Sequence, residues 1–191
     1  MTLKPTDLKP GDVLLTYGTG GLWPPRRWML WVVYRAIRAY QKKKWGDSVD
    51  CDPTHARLWL GGVFFEATWP KATYTTFAEA KIENKRFKVV RWAKGNLAID
   101  PMLIAADPMI GTPYDWGDLL DMGVSAIAGI PQFRIFGDRM NKYRVCSTAA
   151  AQVLEAGGAT FDLPIKEIDP AYFLAKSHDW RVVYDSQKGT R

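Results

Sequence analysis

Residues 54–68 read THARLWLGGVFFEAT, and no other stretch of the chain restricts the fold as tightly. Two β-prone runs flank Gly61-Gly62, and a two-residue glycine turn closes an antiparallel hairpin because its backbone twist matches that of the strands. Such a turn dictates the register. Leu60 pairs with Val63, Trp59 with Phe64, Leu58 with Phe65 and Arg57 with Glu66, while His55 faces Thr68. Alternation along the strands puts His55, Arg57 and Trp59 on one face with Phe64, Glu66 and Thr68. Glu66 is then the diagonal neighbour of His55, within reach of a long side chain. A carboxylate bound to one ring nitrogen orients an imidazole and leaves its other nitrogen free as a base. Arg57, directly opposite Glu66, could hold that carboxylate for itself.

The second informative stretch is YRVCSTAAAQVLEAGG, residues 143–158, a short strand or loop running into an alanine-rich helix that starts at Cys146 and ends at Gly157-Gly158. A helix N-terminus carries about half a positive charge, which favours an anion in its first turn. Thiol pKa values fall at such positions, the more so beside a histidine. The backbone amides of Cys146 and Ser147 would point outward there, ready for an oxyanion. Two readings of Cys146 are open: a small buried residue, or a nucleophile activated by His55 with Glu66 orienting it.

The other elements place these two. LKPGDVLLTYG predicts a turn and a strand over Asp12 to Tyr17, RFKVVRW a strand over Arg86 to Trp92, and DPMLIAADPMIG a helix from Pro101 to Met109. GTPYDWGDLLDMGVSAIAGIP starts as a loop and continues as a short apolar helix, and IDPAYFLAKSHDWRVVYD reads as a short helix before a terminal strand. Strands thus precede and follow the helices with hairpin-like connections, which favours an α+β fold over a parallel sheet. A chain of 191 residues without linker, repeat or sharp change of composition suits one domain spanning residues 1–191.

The net charge of +6 is uneven. No acid occurs from Val13 to Gly46, where Arg26, Arg27, Arg35, Arg38, Lys42, Lys43 and Lys44 all fall. Pro24 and Pro25 suit the start of a helix running to about Lys44, a basic aromatic insert at about 24–46. On a helical wheel Arg27, Arg35, Arg38 and Lys42 form a basic stripe with Trp31 and Tyr34 beside it. Met29, Val33, Ala36 and Tyr40 make the face expected to be buried. This mixture fits an anionic membrane surface reached through Arg27, Trp31, Arg35 and Arg38, or an ordinary solvated helix face. No nucleic-acid motif accompanies the charge, so nucleic acid is not an expected partner. Two cysteines make no disulfide framework, and the chain shows neither signal peptide nor spanning segment. The expected location is cytoplasmic unless another route exports the protein. Cys51, four residues before His55, could share a metal with it. Only Cys146 and His178 remain to complete a zinc site, and no cofactor is expected. A Cys51–Cys146 disulfide is a further alternative.

PGDVLL, THARLWLGG…FFEAT, GTPYDWGDL, YRVCSTAAAQVLEAGG and IDPAYFLAKSHDWRVV occur in an order that resembles the permuted NlpC-type, papain-like cysteine hydrolases. The bacterial YiiX/YebB-like group, related in arrangement to lecithin–retinol acyltransferase, is most similar. In the unpermuted enzymes the cysteine helix comes first; here the histidine strand does. The resemblance implies a papain-like, circularly permuted fold with Cys146 as nucleophile, His55 as general base and Glu66 as the orienting residue. It implies that Tyr114 lies beside the nucleophile and helps bind the oxyanion, with Ser147 and Arg57 as further oxyanion or substrate contacts. The expected activity is hydrolysis of an amide bond in a peptide, a peptidoglycan stem or a modified lysine side chain. Two alternatives stand beside it: lipid acyl hydrolysis or transfer at a membrane surface, and a non-catalytic basic binding module. The basic insert is longer than the core of such a fold requires, which makes it a candidate for setting the substrate.

Overall fold

The computed structural model describes residues 3–18, 25–82, 86–114, 146–187 and 189–190, with only the backbone described for 25–33 and 189–190. Among the described residues seven strands form one sheet: β1 (Val13–Thr16), β2 (His55–Trp59), β3 (Phe64–Glu66), β4 (Thr73–Thr75), β5 (Phe87–Trp92), β6 (Trp180–Asp185) and β7 (Gly189–Thr190). Their order is β4-β3-β2-β1-β5-β6-β7, and every pairing is antiparallel. The α-helices among the described residues are α1 (Pro25–Trp45), α2 (Ile99–Ala106), α3 (Cys146–Ala156) and α4 (Tyr172–Ala175). The α+β class is therefore as the sequence predicts. The short strands β4 and β7 are additions, and the apolar helix expected after Tyr114 lies outside the described residues.

The hairpin register is the predicted one: Leu58 faces Phe65, Trp59 faces Phe64, and Leu60 N–H donates to Val63 O over 2.9 Å. Gly61 has φ +87° while Gly62 does not enter the left-handed region. Positive φ at the first turn residue alone is the pattern of a type II′ turn. The two faces of the sheet are both covered. Val13, Leu15, Leu58, Phe65 and Val90 pack with Ala149, Ala150, Val153, Leu154, Tyr172 and Trp180 on the helical side. Leu14, Trp59, Phe64, Phe87, Val89 and Tyr184 pack on the other side with Leu3, Leu8, Ala80 and Ile82. A central strand buried on both faces cannot alternate, which is why β1 reads as the unbroken run VLLT.

The turn before β1 explains PGD. Gly11 has φ +89°, and its N–H reaches Trp59 O over 2.8 Å. The Asp12 carboxylate caps the turn at Lys9 N–H and takes both arms of Arg91, at 2.7 and 2.6 Å. It is 1% exposed, and the bidentate pairing with hydrogen bonds offsets the cost of burying its charge.

Helix α1 ends at Trp45, one residue past the expected boundary, with Gly46 at φ +74° as its C-terminal cap. Its buried side departs from the expected one. Ile37 and Gln41 are buried, whereas Ala36 and Tyr40 are only partly so; the side chains of Met29 and Val33 lie outside the described residues. A polar residue rotates the helix. The Gln41 carboxamide donates to the carbonyls of Cys51 and Pro53, 2.8 Å each, and accepts Ala171 N–H at 2.8 Å. A hydrophobicity pattern does not register a glutamine that satisfies three backbone groups at once.

Helix α3 lies against β2 and β3, and its Ala149, Ala150 and Ala151 are none more than 1% exposed. Small side chains let its backbone approach the sheet, and with it the first turn that carries Cys146. Overpacking this seam is costly: Ala150→Leu should lower stability by about 1–3 kcal/mol. A urea unfolding midpoint equal to that of wild type would show that the helix does not lie so close.

Candidate active site

The hairpin and α3 bring together the residues that the sequence singles out. His55 opens β2, Glu66 closes β3, and Cys146 is the first residue of α3. His55 Nε2 lies 3.0 Å from Glu66 Oε2, with the carboxylate accepting the ring proton. Arg57 Nε donates to the same oxygen over 2.6 Å, and Thr75 Oγ1 donates to Oε1 over 3.0 Å. Glu66 is 4% exposed and so holds three donors out of water. Burial opposes its charge, but His55 and Arg57 outweigh it and bring its pKa down to about 2.

The other edge of the imidazole meets the thiol of Cys146, a buried residue 5% exposed. With Nε2 taken by Glu66, the contact falls to Nδ1. Burial lowers the imidazole's affinity for a proton, yet the negative charge of Cys146 and the bond to Glu66 raise its pKa to about 9. Burial pushes the Cys146 thiol up, but the charge of His55 and the N–H groups of Ala56 and Ser147 bring it below the ordinary thiol value. The β2–β3 ladder pairs Leu58 and Trp59 and stops short of Ala56, which leaves that amide for the sulfur. Each group thus favours the charged form of the other. Both shifts run towards a thiolate beside an imidazolium, at a helix start that adds its own positive end.

Tyr114 reaches the site as expected. Its N–H bonds Pro70 O over 3.1 Å, and Lys71 bridges Pro113, which ties this segment beside β4. Its phenol bonds the Cys146 sulfur and receives the Cys146 N–H. Burial, then the charge of Cys146, pushes that hydroxyl well above the usual tyrosine range, so it stays protonated and able to donate.

Ser147 and Arg57 have partners within the protein. The Ser147 hydroxyl donates to Ile168 O over 2.7 Å and is buried, while its N–H is turned onto the Cys146 sulfur rather than outward. Arg57 donates to Glu66 and to Ala80 O at 3.0 Å, so it fixes the carboxylate. Both cysteines are free thiols, so the alternative Cys51–Cys146 disulfide is absent. His178 is exposed and leans on Asp179 at 3.3 Å. No group of three or more potential metal ligands occurs among the described residues.

Two residues were missed. Thr75 sits on a strand too short to be seen in the sequence. Tyr34 comes from α1, where only its place beside the basic stripe was noted. It is half-buried, and the charges of Cys146 and Arg57 both act on its phenol. The basic stripe itself is partly consumed. Arg38 Nη2 donates to Gly18 O over 2.7 Å and Nε lies 3.7 Å from Asp52, while Lys42 pairs with Asp47 at 2.8 Å. The side chains of Arg27 and Trp31 lie outside the described residues.

The two shifted pKa values have opposite consequences for stability. His55 is raised from 6.5 to about 9, so its contribution is complete below pH 6.5 and is lost as pH rises through 9. Glu66 is lowered from 4.5 to about 2, so its contribution is complete above pH 4.5 and is lost as pH falls towards 2. A ring-proton NMR titration should therefore place the His55 midpoint near pH 9 in wild type and clearly lower in Glu66→Gln. An ordinary midpoint of about 6.5 in wild type would contradict the ion pair. A scan against family models finds no family that matches this chain, and no curated protein matches it either.

Proposed function

We propose that this protein is a thiol-dependent hydrolase that cleaves an amide bond through Cys146, His55 and Glu66. The observation that carries the reading is the buried run of contacts from the Cys146 sulfur through the imidazole to the Glu66 carboxylate, with the sulfur in the first turn of a helix. An ordinary structural cysteine has no use for an imidazolium partner. The histidine strand ahead of the cysteine helix, in an antiparallel sheet, supports a circularly permuted NlpC-type, papain-like fold.

In this scheme the thiolate attacks the carbonyl carbon, a C–S bond forms, and the carbonyl π pair moves onto oxygen. The oxyanion meets the Tyr114 hydroxyl, which bonds the sulfur at rest, and the Cys146 N–H, which at rest is held by the same phenol. Once the sulfur is acylated it no longer competes for the phenol proton. Collapse breaks the C–N bond, His55 passes its proton to the leaving nitrogen, and a thioester remains. Neutral His55 then takes a proton from water, whose oxygen attacks the thioester. The acid departs and the thiolate–imidazolium pair is restored. An amine or alcohol in place of water would make the same site a transferase. Peptides, peptidoglycan stems and modified lysine side chains all offer such an amide.

The lipid alternative draws on the basic face of α1, and the engagement of Arg38 and Lys42 with Gly18, Asp52 and Asp47 leaves less of that face for a membrane. A purely binding role gives no reason for the buried charge pair.

Alkylation by iodoacetamide, followed at each cysteine by mass spectrometry, tests the reading. Cys146 should react well below pH 8, and His55→Ala should slow it roughly 10- to 100-fold at neutral pH. Cys51 is an internal control, because burial and the charges of Asp169, Asp50 and Asp52 push its thiol up. A Cys146 that is inert, or as reactive in His55→Ala as in wild type, would remove the case for catalysis.

A further inference from the structure

Gly18 lies just past β1, and a Cβ built on it would fall 2.5 Å from Tyr34 Cε2 and 2.7 Å from both Tyr34 Cδ2 and Thr54 Oγ1. Its φ lies outside the left-handed region, so the backbone alone does not ask for glycine there. The close approach of the Tyr34 ring does. Gly18 N–H donates to Thr54 Oγ1 over 2.9 Å, and Gly18 O accepts Arg38 Nη2 over 2.7 Å. Tyr34 and Arg38 are one turn apart on the same side of α1. The helix therefore grips this peptide twice, with a ring against it and a guanidinium on its carbonyl. Gln41, a further turn along, fastens the helix to the loop before β2.

Thr54 precedes His55, and His55 pairs with Thr16, so the clamped ring stands at the end of the two strands that carry the imidazole. The phenol is near enough to Cys146 and Arg57 for their charges to act on it, and near enough to Tyr114 to influence that phenol in turn. Cys146 itself is 5% exposed. An acyl group on the sulfur is therefore formed among packed side chains, and the Tyr34 ring, beside Thr54 and Gly18, stands next to the strand end that carries His55.

Resting on the hydrolase reading above, we propose that Tyr34 is a specificity-determining residue: its ring, held against Gly18, walls the acyl site and restricts Cys146 to narrow, unbranched acyl groups. The role belongs to the ring rather than to its hydroxyl. Size exclusion of this kind commonly discriminates by about 10- to 200-fold.

The test compares acylation of Cys146 by p-nitrophenyl acetate and by the branched p-nitrophenyl pivalate. In both, the thiolate displaces p-nitrophenolate and retains the acyl group, read by absorbance and by intact mass. Each rate is divided by the iodoacetamide rate of the same variant, which cancels any loss of thiolate. Tyr34→Ala should raise the pivalate-to-acetate ratio about 10-fold or more, and Tyr34→Phe should keep the wild-type ratio. Gly18→Ala, which leaves Tyr34 in place but forces its ring to move, should shift the ratio about 3-fold or more and serves if Tyr34→Ala does not fold. A ratio that stays constant across Tyr34→Ala and Gly18→Ala, with Cys146 still alkylated, overturns the wall and leaves the hydrolase reading intact. A wild type in which Cys146 resists both iodoacetamide and the acetate ester overturns that reading and the wall with it.

Discussion

The Glu66 carboxylate is the interaction on which the rest of the site depends. It is buried, and it accepts from His55, Arg57 and Thr75 at once. Without it, His55 would keep the larger support of Cys146 against desolvation but lose the bond to Glu66 that adds to it and fixes the ring. Arg57 matters for the same reason. Burying a carboxylate beside a single imidazole would be expensive, and the guanidinium supplies a permanent charge that does not titrate with the ring. An arginine placed to compete with His55 for Glu66 instead joins it in keeping Glu66 ionised there.

The hairpin supplies that geometry and α3 supplies the sulfur, but neither element is unusual alone. The II′ turn at Gly61 sets which side chains share a face, and the alanines of α3 set how near the helix lies. A one-residue slip in the β2–β3 register would send His55 and Glu66 to opposite faces. Covering both faces of the sheet leaves the apolar runs of β1 and β2 little choice of register, so core packing and site geometry are enforced by the same contacts.

Helix α1 shows where pattern reading fails. Its apolar periodicity pointed to Ala36 and Tyr40 as the buried side, and the structure buries Ile37 and Gln41. The difference is one step around the helix, and its cause is polar. Gln41 closes hydrogen bonds with three backbone groups, and Arg38 closes another with Gly18 O, groups that would otherwise be left unsatisfied against the helix. The same rotation turns Tyr34 towards Cys146. A residue noted only for its position beside a basic stripe is thereby brought to the site.

By itself the sequence determined what short-range physics controls: the α+β class, the hairpin and its register, the meeting of His55 with Glu66, and a cysteine at the start of an alanine-rich helix. Turn chemistry and a two-residue period act over a few positions, so they can be read from the residues. Bringing Cys146 to His55 across the chain was expected only from the order of motifs, because no local period carries a long-range contact. Tertiary structure alone decided the rest. Thr75 reaches Glu66 because a three-residue strand pairs at the sheet edge, Ser147 turns its amide onto the sulfur, and Tyr34 docks on Gly18 because Gln41 rotates α1. Each of these depends on which buried polar group finds a partner in three dimensions, and that is a property of the packed chain rather than of any segment within it.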